Sequence, residues 1–135
     1  MEVLVEHLGE VQFEVSARGH KIVSDQPTGN GGYNEGMTPP ELLLASLGTC
    51  AGYYAAEYLK ARSLPADGLR VRVSADKGKN PARLAAFQID VEANLENLDA
   101  HREGLHRAVE KCLIHNTLLH APAIQIEIGA PALTS

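Results

Sequence analysis

The two cysteines are the residues of this 135-residue chain best suited to chemistry. Cys50 lies in an apolar stretch between Leu47 and Ala51, and Cys112 lies much later in the chain beside Leu113. A cysteine thiolate is a strong nucleophile that can be oxidised reversibly to a sulfenic acid or a disulfide. Two cysteines far apart do not supply the close ligand pairs of a zinc site. They are therefore candidates for thiol redox chemistry, and the alternative is that each is an apolar packing residue.

A reactive thiol needs a nearby cation, because an unperturbed cysteine is only a few per cent thiolate at about pH 7. The middle of a helix gives little help, since the helix dipole acts mainly within the first turn. Arg18 lies at a predicted turn and is the candidate cation, provided that the turn folds over the segment that carries Cys50. Otherwise Arg18 is a solvated turn residue.

Other side chains near the cysteines have weaker functional signals. His115 lies one helical turn beyond Cys112 and could accept its proton, although a surface histidine is the commoner case. Tyr53, Tyr54 and Tyr58 follow Cys50 at helical spacing, which is typical of core or pocket lining.

A long helix is predicted to carry Cys50. At its start, Thr38 can cap, Pro39 suits the first helical position, and Glu41 can complete a capping box. The helix is predicted over residues 39–62. Its first two thirds are apolar all round, which is typical of a central helix that packs on several sides. Such a helix favours a homodimer whose first strands cross to the partner.

A second helix is predicted from a cap at Asp99 to about Ile114, and its inner stripe comprises Leu105, Val109, Cys112 and Leu113. Alternating apolar residues predict strands at residues 2–6, 11–18, 20–24, 69–76 and 87–93, and a last strand that turns Ile124, Ile126 and Ile128 inward. Residues 25–37 are rich in glycine and asparagine and predict a loop. This order predicts one α+β domain over residues 1–135, with an antiparallel sheet wrapped around the long helix.

Charge and hydropathy exclude several classes of partner. Twelve Lys and Arg against seventeen Asp and Glu give a net charge of −5, and the basic residues are scattered. We therefore expect no binding to nucleic acid. The longest apolar run, residues 42–56, is too short to span a membrane, and the first residues do not resemble a signal peptide. We expect a reducing, cytoplasmic location and no permanent disulfide.

Two cysteine motifs and the stretch before them carry a resemblance to a known family. The stretch SARGHKIVSDQP is followed by GGYNEGMTPPELLLASLGTCAGYYAAEYL and, later, by KCLIHNTL. This sequence resembles the OsmC/Ohr family of organic hydroperoxide reductases over nearly the whole chain. The resemblance implies a domain-swapped homodimer in which two long helices pack together and the active sites lie at the subunit interface.

The resemblance also implies roles for individual residues. Cys50 would be the peroxidatic cysteine and Cys112 the resolving one, with Arg18 holding the thiolate and orienting the peroxide. A glutamate at the helix start, here Glu41, would hold the arginine. The cycle would consume an organic hydroperoxide and a dithiol reductant, with no metal and no cofactor.

The sequence departs from the family pattern at two positions. Pro40 stands ten residues before Cys50, where the family has its glutamate, and Glu41 lies one position later. One residue is about 100° of helix rotation, so Glu41 is as well explained by the capping box as by catalysis. Leu113 replaces the proline that commonly follows the resolving cysteine, which predicts that the helix continues past Cys112.

Two functions remain open from the sequence. The first is a thiol-dependent peroxidase, whose apolar wall of Leu43, Leu47 and Tyr54 would favour alkyl hydroperoxides. The second is a non-catalytic protein of the same fold that binds a small ligand. Acyl transfer or hydrolysis through Cys50 would need a base and an oxyanion hole, for which the sequence offers no candidates.

Overall fold

A three-stranded meander opens the chain, whose computed structural model describes residues 1–131. Strands β1 (Leu4–Gly9), β2 (Gln12–Ala17) and β3 (His20–Ser24) pair in that order, and both pairings are antiparallel. Residues 25–38 follow as a loop with one short 3-10 turn at Thr28–Asn30. The period-two pattern of the sequence therefore predicted these strands to within a few residues.

Helix α1 (Pro39–Ala61) begins where its capping residues predict. The Thr38 hydroxyl oxygen accepts a hydrogen bond from the Glu41 N–H at 3.4 Å, and the Glu41 carboxylate accepts from the Thr38 N–H at 2.9 Å. This reciprocal pair is a complete capping box. The helix buries one stripe along its length, comprising Leu47, Ala51, Ala55 and Leu59.

The second half of the chain packs against α1. Strands β4 (Arg70–Gly78) and β5 (Arg83–Glu92) form an antiparallel hairpin, and helices α2 (Leu98–Val109) and α3 (Leu113–Leu119) follow. The hairpin and both helices contact α1, and a small core forms around Ala55, Leu59 and Leu105. The α+β class with antiparallel sheets is thus confirmed. Within residues 1–131, no helix is both long and apolar enough to cross a membrane.

The meander stands apart from this core. It makes no substantial contact with α1, the β4–β5 hairpin or the later helices within the part of the chain that the structure describes. Its apolar side chains are largely exposed, including Leu4, Val5, Phe13 and Ile22. Of the two sheets, therefore, only the β4–β5 hairpin covers the long helix in a single chain.

The predicted second helix is wrong at both ends. It begins after Asn97, and Asp99 lies in the first turn, where its carboxylate pairs with Arg102 instead of capping. It also stops at Val109, so it does not continue through Cys112 to residue 114. The chain bends there because Cys112 turns inward as the cap of α3, whereas Leu113, which the prediction placed on the inner stripe, is 62% exposed.

The predicted last strand is also wrong. Residues 121–131 have no regular secondary structure, and Ile124, Ile126 and Ile128 are 82%, 82% and 96% exposed. An alternating sequence forms a strand only when a neighbouring strand supplies hydrogen bonds. No strand within residues 1–131 pairs with this segment.

Removing the capping hydroxyl as Thr38→Ala should lower the free energy of unfolding by about 1 kcal/mol, because a helix donor loses its acceptor. Urea denaturation monitored by circular dichroism measures the change. Thr49→Ala is the matched control, since Thr49 lies exposed in the middle of α1 and its hydroxyl only bonds the Ser46 carbonyl. Equal unfolding midpoints for the two variants would contradict the capping role.

Candidate active site

The two cysteines come together where α3 packs against α1. Cys50 lies on α1, next to the buried stripe, and is partly accessible to solvent. Cys112 lies in the bend between α2 and α3 and is fully buried, with 0% exposure. Residues distant in sequence thus meet through the packing of the helices.

The environment of Cys112 disfavours its thiolate. Burial raises the pKa of the Cys112 thiol above its ordinary value, and a hydrogen bond with the Cys50 thiol raises it further. The His115 N–H donates to the Cys112 sulfur at 3.4 Å and acts in the opposite direction, but burial outweighs it. At neutral pH Cys112 is therefore a protonated thiol in contact with Cys50.

Backbone hydrogen bonds fix the position of Cys112. Its N–H donates to the Val109 carbonyl at 3.0 Å, and its carbonyl accepts from the Asn116 N–H at 3.0 Å. With the His115 N–H on the sulfur, three bonds hold this residue at the bend. Two of these bonds fix the backbone at the bend, and the third fixes the sulfur itself.

Glu41 forms the cap of α1 and does not reach the thiols. Its carboxylate accepts hydrogen bonds from the Thr38 N–H and, at 2.8 Å, from the Thr38 hydroxyl. Both bonds lower the pKa of Glu41 below its ordinary value, and the bond from the Thr38 N–H has the larger effect. Cys50 lies nine positions after Glu41, which is roughly 13 Å along a helix axis.

Arg18 occupies the two-residue turn between β2 and β3, as predicted. Arg18 and Gly19 have φ angles of 52° and 82°, the left-handed pair that such a tight hairpin turn requires. The side chain is exposed and forms no ion pair within residues 1–131. Because the meander does not pack on α1, a single chain does not bring Arg18 to Cys50.

The predicted apolar wall is only partly present. Leu47 is 1% exposed and belongs to the core, so it does not line an open site. Leu43 and Tyr54 remain accessible, and the Tyr54 ring packs edge-on against Tyr53. A cleft of about 580 Å³ opens beside Tyr54 and is bordered by α3. Tyr54 is the residue of α1 that lines this cleft, and neither cysteine lines it.

Asp25 is a residue that the sequence reasoning missed. It is 1% exposed, and its carboxylate accepts hydrogen bonds from the N–H groups of Gln26, Tyr33 and Glu35 and from the side chain of Gln12. Burial alone would raise the pKa of Asp25, but these donors together lower it. The carboxylate thereby orders the loop that precedes α1. An aspartate before a loop rich in glycine and asparagine is the sequence signal for such a turn.

Comparison with known proteins identifies the family. The model for "OsmC-like protein" matches residues 31–127, a range that includes both cysteines. The chain therefore belongs to the OsmC-like family, and the resemblance drawn from the two cysteine motifs is confirmed. No curated protein matches the chain.

Solved structures share the fold at low sequence identity. An OsmC-like protein from Mycoplasma pneumoniae has a TM-score of 0.73 at 20% identity, covering 89% of this chain and 87% of its own. A Psychrobacter arcticus protein named for osmotic stress induction and detoxification response has a TM-score of 0.77 at 20% identity, covering 85% of each chain. An organic hydroperoxide resistance protein OsmC from Legionella pneumophila has a TM-score of 0.61 at 15% identity, covering 89% of this chain and 90% of its own.

The two thiols should differ sharply in accessibility. Iodoacetamide should label Cys50 in the native, reduced protein, whereas Cys112 should be labelled only after unfolding, because it is buried and protonated. Peptide mapping by mass spectrometry after labelling with and without urea measures both sites. Equal labelling of the two cysteines in the native protein would contradict the buried position of Cys112.

Proposed function

We propose that this protein is a thiol-dependent peroxidase that reduces organic hydroperoxides in the cytoplasm. The observation that carries the proposal is the contact between a partly accessible thiol, Cys50, and a buried one, Cys112. The names of structural neighbours from Legionella pneumophila and Elizabethkingia anophelis, both organic hydroperoxide resistance proteins, point to the same chemistry.

The reaction uses both thiols in turn. The Cys50 thiolate attacks the terminal peroxide oxygen, the O–O bond breaks, and an alkoxide leaves and takes up a proton to become an alcohol. Cys50 is then a sulfenic acid. The Cys112 thiol condenses with it, which forms a disulfide and releases water. A dithiol reductant opens that disulfide by exchange and restores both thiols.

The environments of the cysteines support this order of events. Cys50 can meet a peroxide because it is partly accessible, whereas buried Cys112 cannot. Their contact means that a sulfenic acid on Cys50 would form within reach of Cys112. Since burial keeps Cys112 protonated, it does not compete with Cys50 for the peroxide.

The cation for the Cys50 thiolate is proposed to come from a second copy of the chain. Arg18 sits on a meander that leaves apolar residues such as Leu4, Val5 and Ile22 exposed and does not pack on its own α1. Folding this sheet over α1 of a partner would bury those residues and bring Arg18 towards the partner's thiol. The active form is therefore proposed to be an intertwined homodimer.

Glu41 was a candidate for holding Arg18. We propose instead that it acts indirectly, as the cap of the helix that carries Cys50. Its carboxylate is occupied by the Thr38 N–H and hydroxyl at the first turn of α1. It would fix the start of the helix that carries Cys50, and it would not touch the peroxide.

The second candidate function is a non-catalytic protein that binds a small ligand. It is favoured by the separation of Arg18 from Cys50 in a single chain and by the occupation of Glu41 in the capping box. In that case Cys50 would be a weakly activated thiol, and peroxide would form no disulfide.

Adding cumene hydroperoxide to the reduced protein should form a disulfide between Cys50 and Cys112 within seconds. Cys112→Ser should stop at a sulfenic acid on Cys50, which dimedone traps, and Cys50→Ser should not react. Intact-protein and peptide mass spectrometry distinguish these species. Absence of the disulfide together with absence of the sulfenic acid would reject the peroxidase and favour the ligand-binding alternative.

The condensation of Cys112 with the Cys50 sulfenic acid should become faster as the pH rises. Because the pKa of Cys112 lies above its ordinary value, the thiolate fraction rises about tenfold per pH unit through the neutral range. The disulfide should then form about tenfold faster at pH 8 than at pH 7 after a single addition of peroxide. Rapid-quench mass spectrometry follows the decay of the sulfenic acid. A decay rate that does not depend on pH would contradict a protonated resolving thiol.

A further inference from the structure

A buried carboxylate lies in the segment that joins the meander to α1. Asp25 directly follows β3 and is 1% exposed. Its Oδ1 atom accepts a hydrogen bond from the Gln26 N–H at 2.7 Å. Its Oδ2 atom accepts from the Tyr33 N–H at 3.1 Å, the Glu35 N–H at 3.1 Å and the side-chain amide of Gln12 at 3.0 Å. Because a buried charge is costly unless it is bonded in this way, the loop is held in one shape around the carboxylate.

The same loop holds the base of the meander against the start of α1. The Ser24 hydroxyl and the Asp25 N–H both donate to the Met37 carbonyl, at 3.0 Å and 3.3 Å, and α1 begins two residues later. The Gln12 amide at the start of β2 bonds Asp25 and also donates to the Glu35 carboxylate at 2.8 Å. Both β2 and β3 are therefore bonded to the residues that lead into the helix.

The loop also packs backbone against backbone at two glycines. A Cβ atom at Gly36 would collide with the Val23 carbonyl of β3, and one at Gly32 would lie 2.6 Å from the Asp25 Oδ1 atom. Cβ atoms in proteins do not make contacts this short, so neither position has room for a side chain. The loop therefore has little freedom to rearrange while Asp25 keeps its hydrogen bonds.

This loop sets the direction in which the meander leaves α1, because the meander makes no substantial contact with α1 or the later elements within residues 1–131. Arg18 lies at the opposite end of the β2–β3 hairpin, six positions after Gln12, which is roughly 20 Å along a strand. A rotation of about 10° at the base would move the Arg18 turn by roughly 3.5 Å over that length. Misplacement of a reacting group by about 1 Å can already lower a rate about 100-fold.

We propose that Asp25 is a positioning residue that orients Arg18 towards the Cys50 thiolate of a second copy of the chain. The role rests on the proposed peroxidase function and its homodimer. Asp25 bonds to the loop and to β2, so it acts on Arg18 through the orientation of the meander and does not touch the peroxide.

A double-mutant cycle tests this role. Asp25→Asn keeps the size of the side chain but replaces one acceptor oxygen by an NH2 group that faces N–H donors. The formation of sulfenic acid on Cys50 with cumene hydroperoxide, followed in Cys112→Ser protein, should slow about tenfold. In Arg18→Ala protein the same substitution should change this rate less than about twofold, because no guanidinium is left to orient. A residue with a merely structural role would lower both rates by the same factor.

The second step of the reaction serves as a control within the same variant. In chains that retain Cys112, the disulfide should form from the sulfenic acid at the wild-type rate in Asp25→Asn, because both thiols lie in one chain and away from its meander. Glu14→Gln is the matched control variant. It removes a carboxylate from the same sheet, where Glu14 pairs with exposed Lys21 at 3.5 Å, and both rates should stay unchanged.

Gln12→Met keeps the role testable if Asp25→Asn does not fold. It removes the side-chain bonds from β2 to the loop, while the three backbone N–H donors to Asp25 remain. Sulfenic acid should then form about fivefold more slowly, again only when Arg18 is present. The positioning role is overturned if the folded variants react at the wild-type rate, or if they slow the reaction equally in Arg18→Ala. Absence of a sulfenic acid in Cys112→Ser alone would instead reject the peroxidase, and this role with it.

Discussion

The apolar surface of α1 is the constraint on which the rest of the structure depends. One stripe of this helix, from Leu47 to Leu59, is buried by the β4–β5 hairpin, α2 and α3. Other apolar residues on α1, including Leu43 and Tyr53, remain exposed in a single chain. Burial of exposed apolar side chains is favourable. The uncovered part of α1 and the uncovered meander are therefore two apolar surfaces that could cover each other if they came from different copies of the chain.

The same packing defines the chemistry of the thiols. Because α3 lies on α1, the bend before it places Cys112 against Cys50 and removes Cys112 from water. Burial holds the Cys112 thiol in its protonated form, whereas Cys50 keeps access to solvent. The two cysteines thus receive unequal environments from one helix contact, which is what a division between an attacking and a resolving thiol requires.

Local signals predicted the parts of the fold that local interactions determine. The start of α1 was predictable because Thr38 and Glu41 cap it through bonds to each other. The hairpins were predictable because alternating side chains and left-handed turn positions such as Gly19 lie close together in sequence.

Features that depend on distant contacts were not predictable. The helix break at Cys112 follows from its burial against α1, and no nearby proline or glycine signals it. The strand expected around Ile126 needs a pairing partner, which its own sequence does not reveal. At the site, the cysteines could be chosen from the sequence, but the relation of Arg18 to Cys50 could not, since it depends on how the meander folds onto a helix.

The most direct test of the account is whether Arg18 of one chain serves Cys50 of another. Arg18→Ala and Cys50→Ser proteins, each expected to have little peroxidase activity, are unfolded together and refolded as a mixture. Random pairing should restore about a quarter of the wild-type turnover with cumene hydroperoxide, because half of the dimers are mixed and each has one complete site. Activity no greater than the mean of the two parents, or full activity of Arg18→Ala alone, would contradict a site completed by the partner subunit.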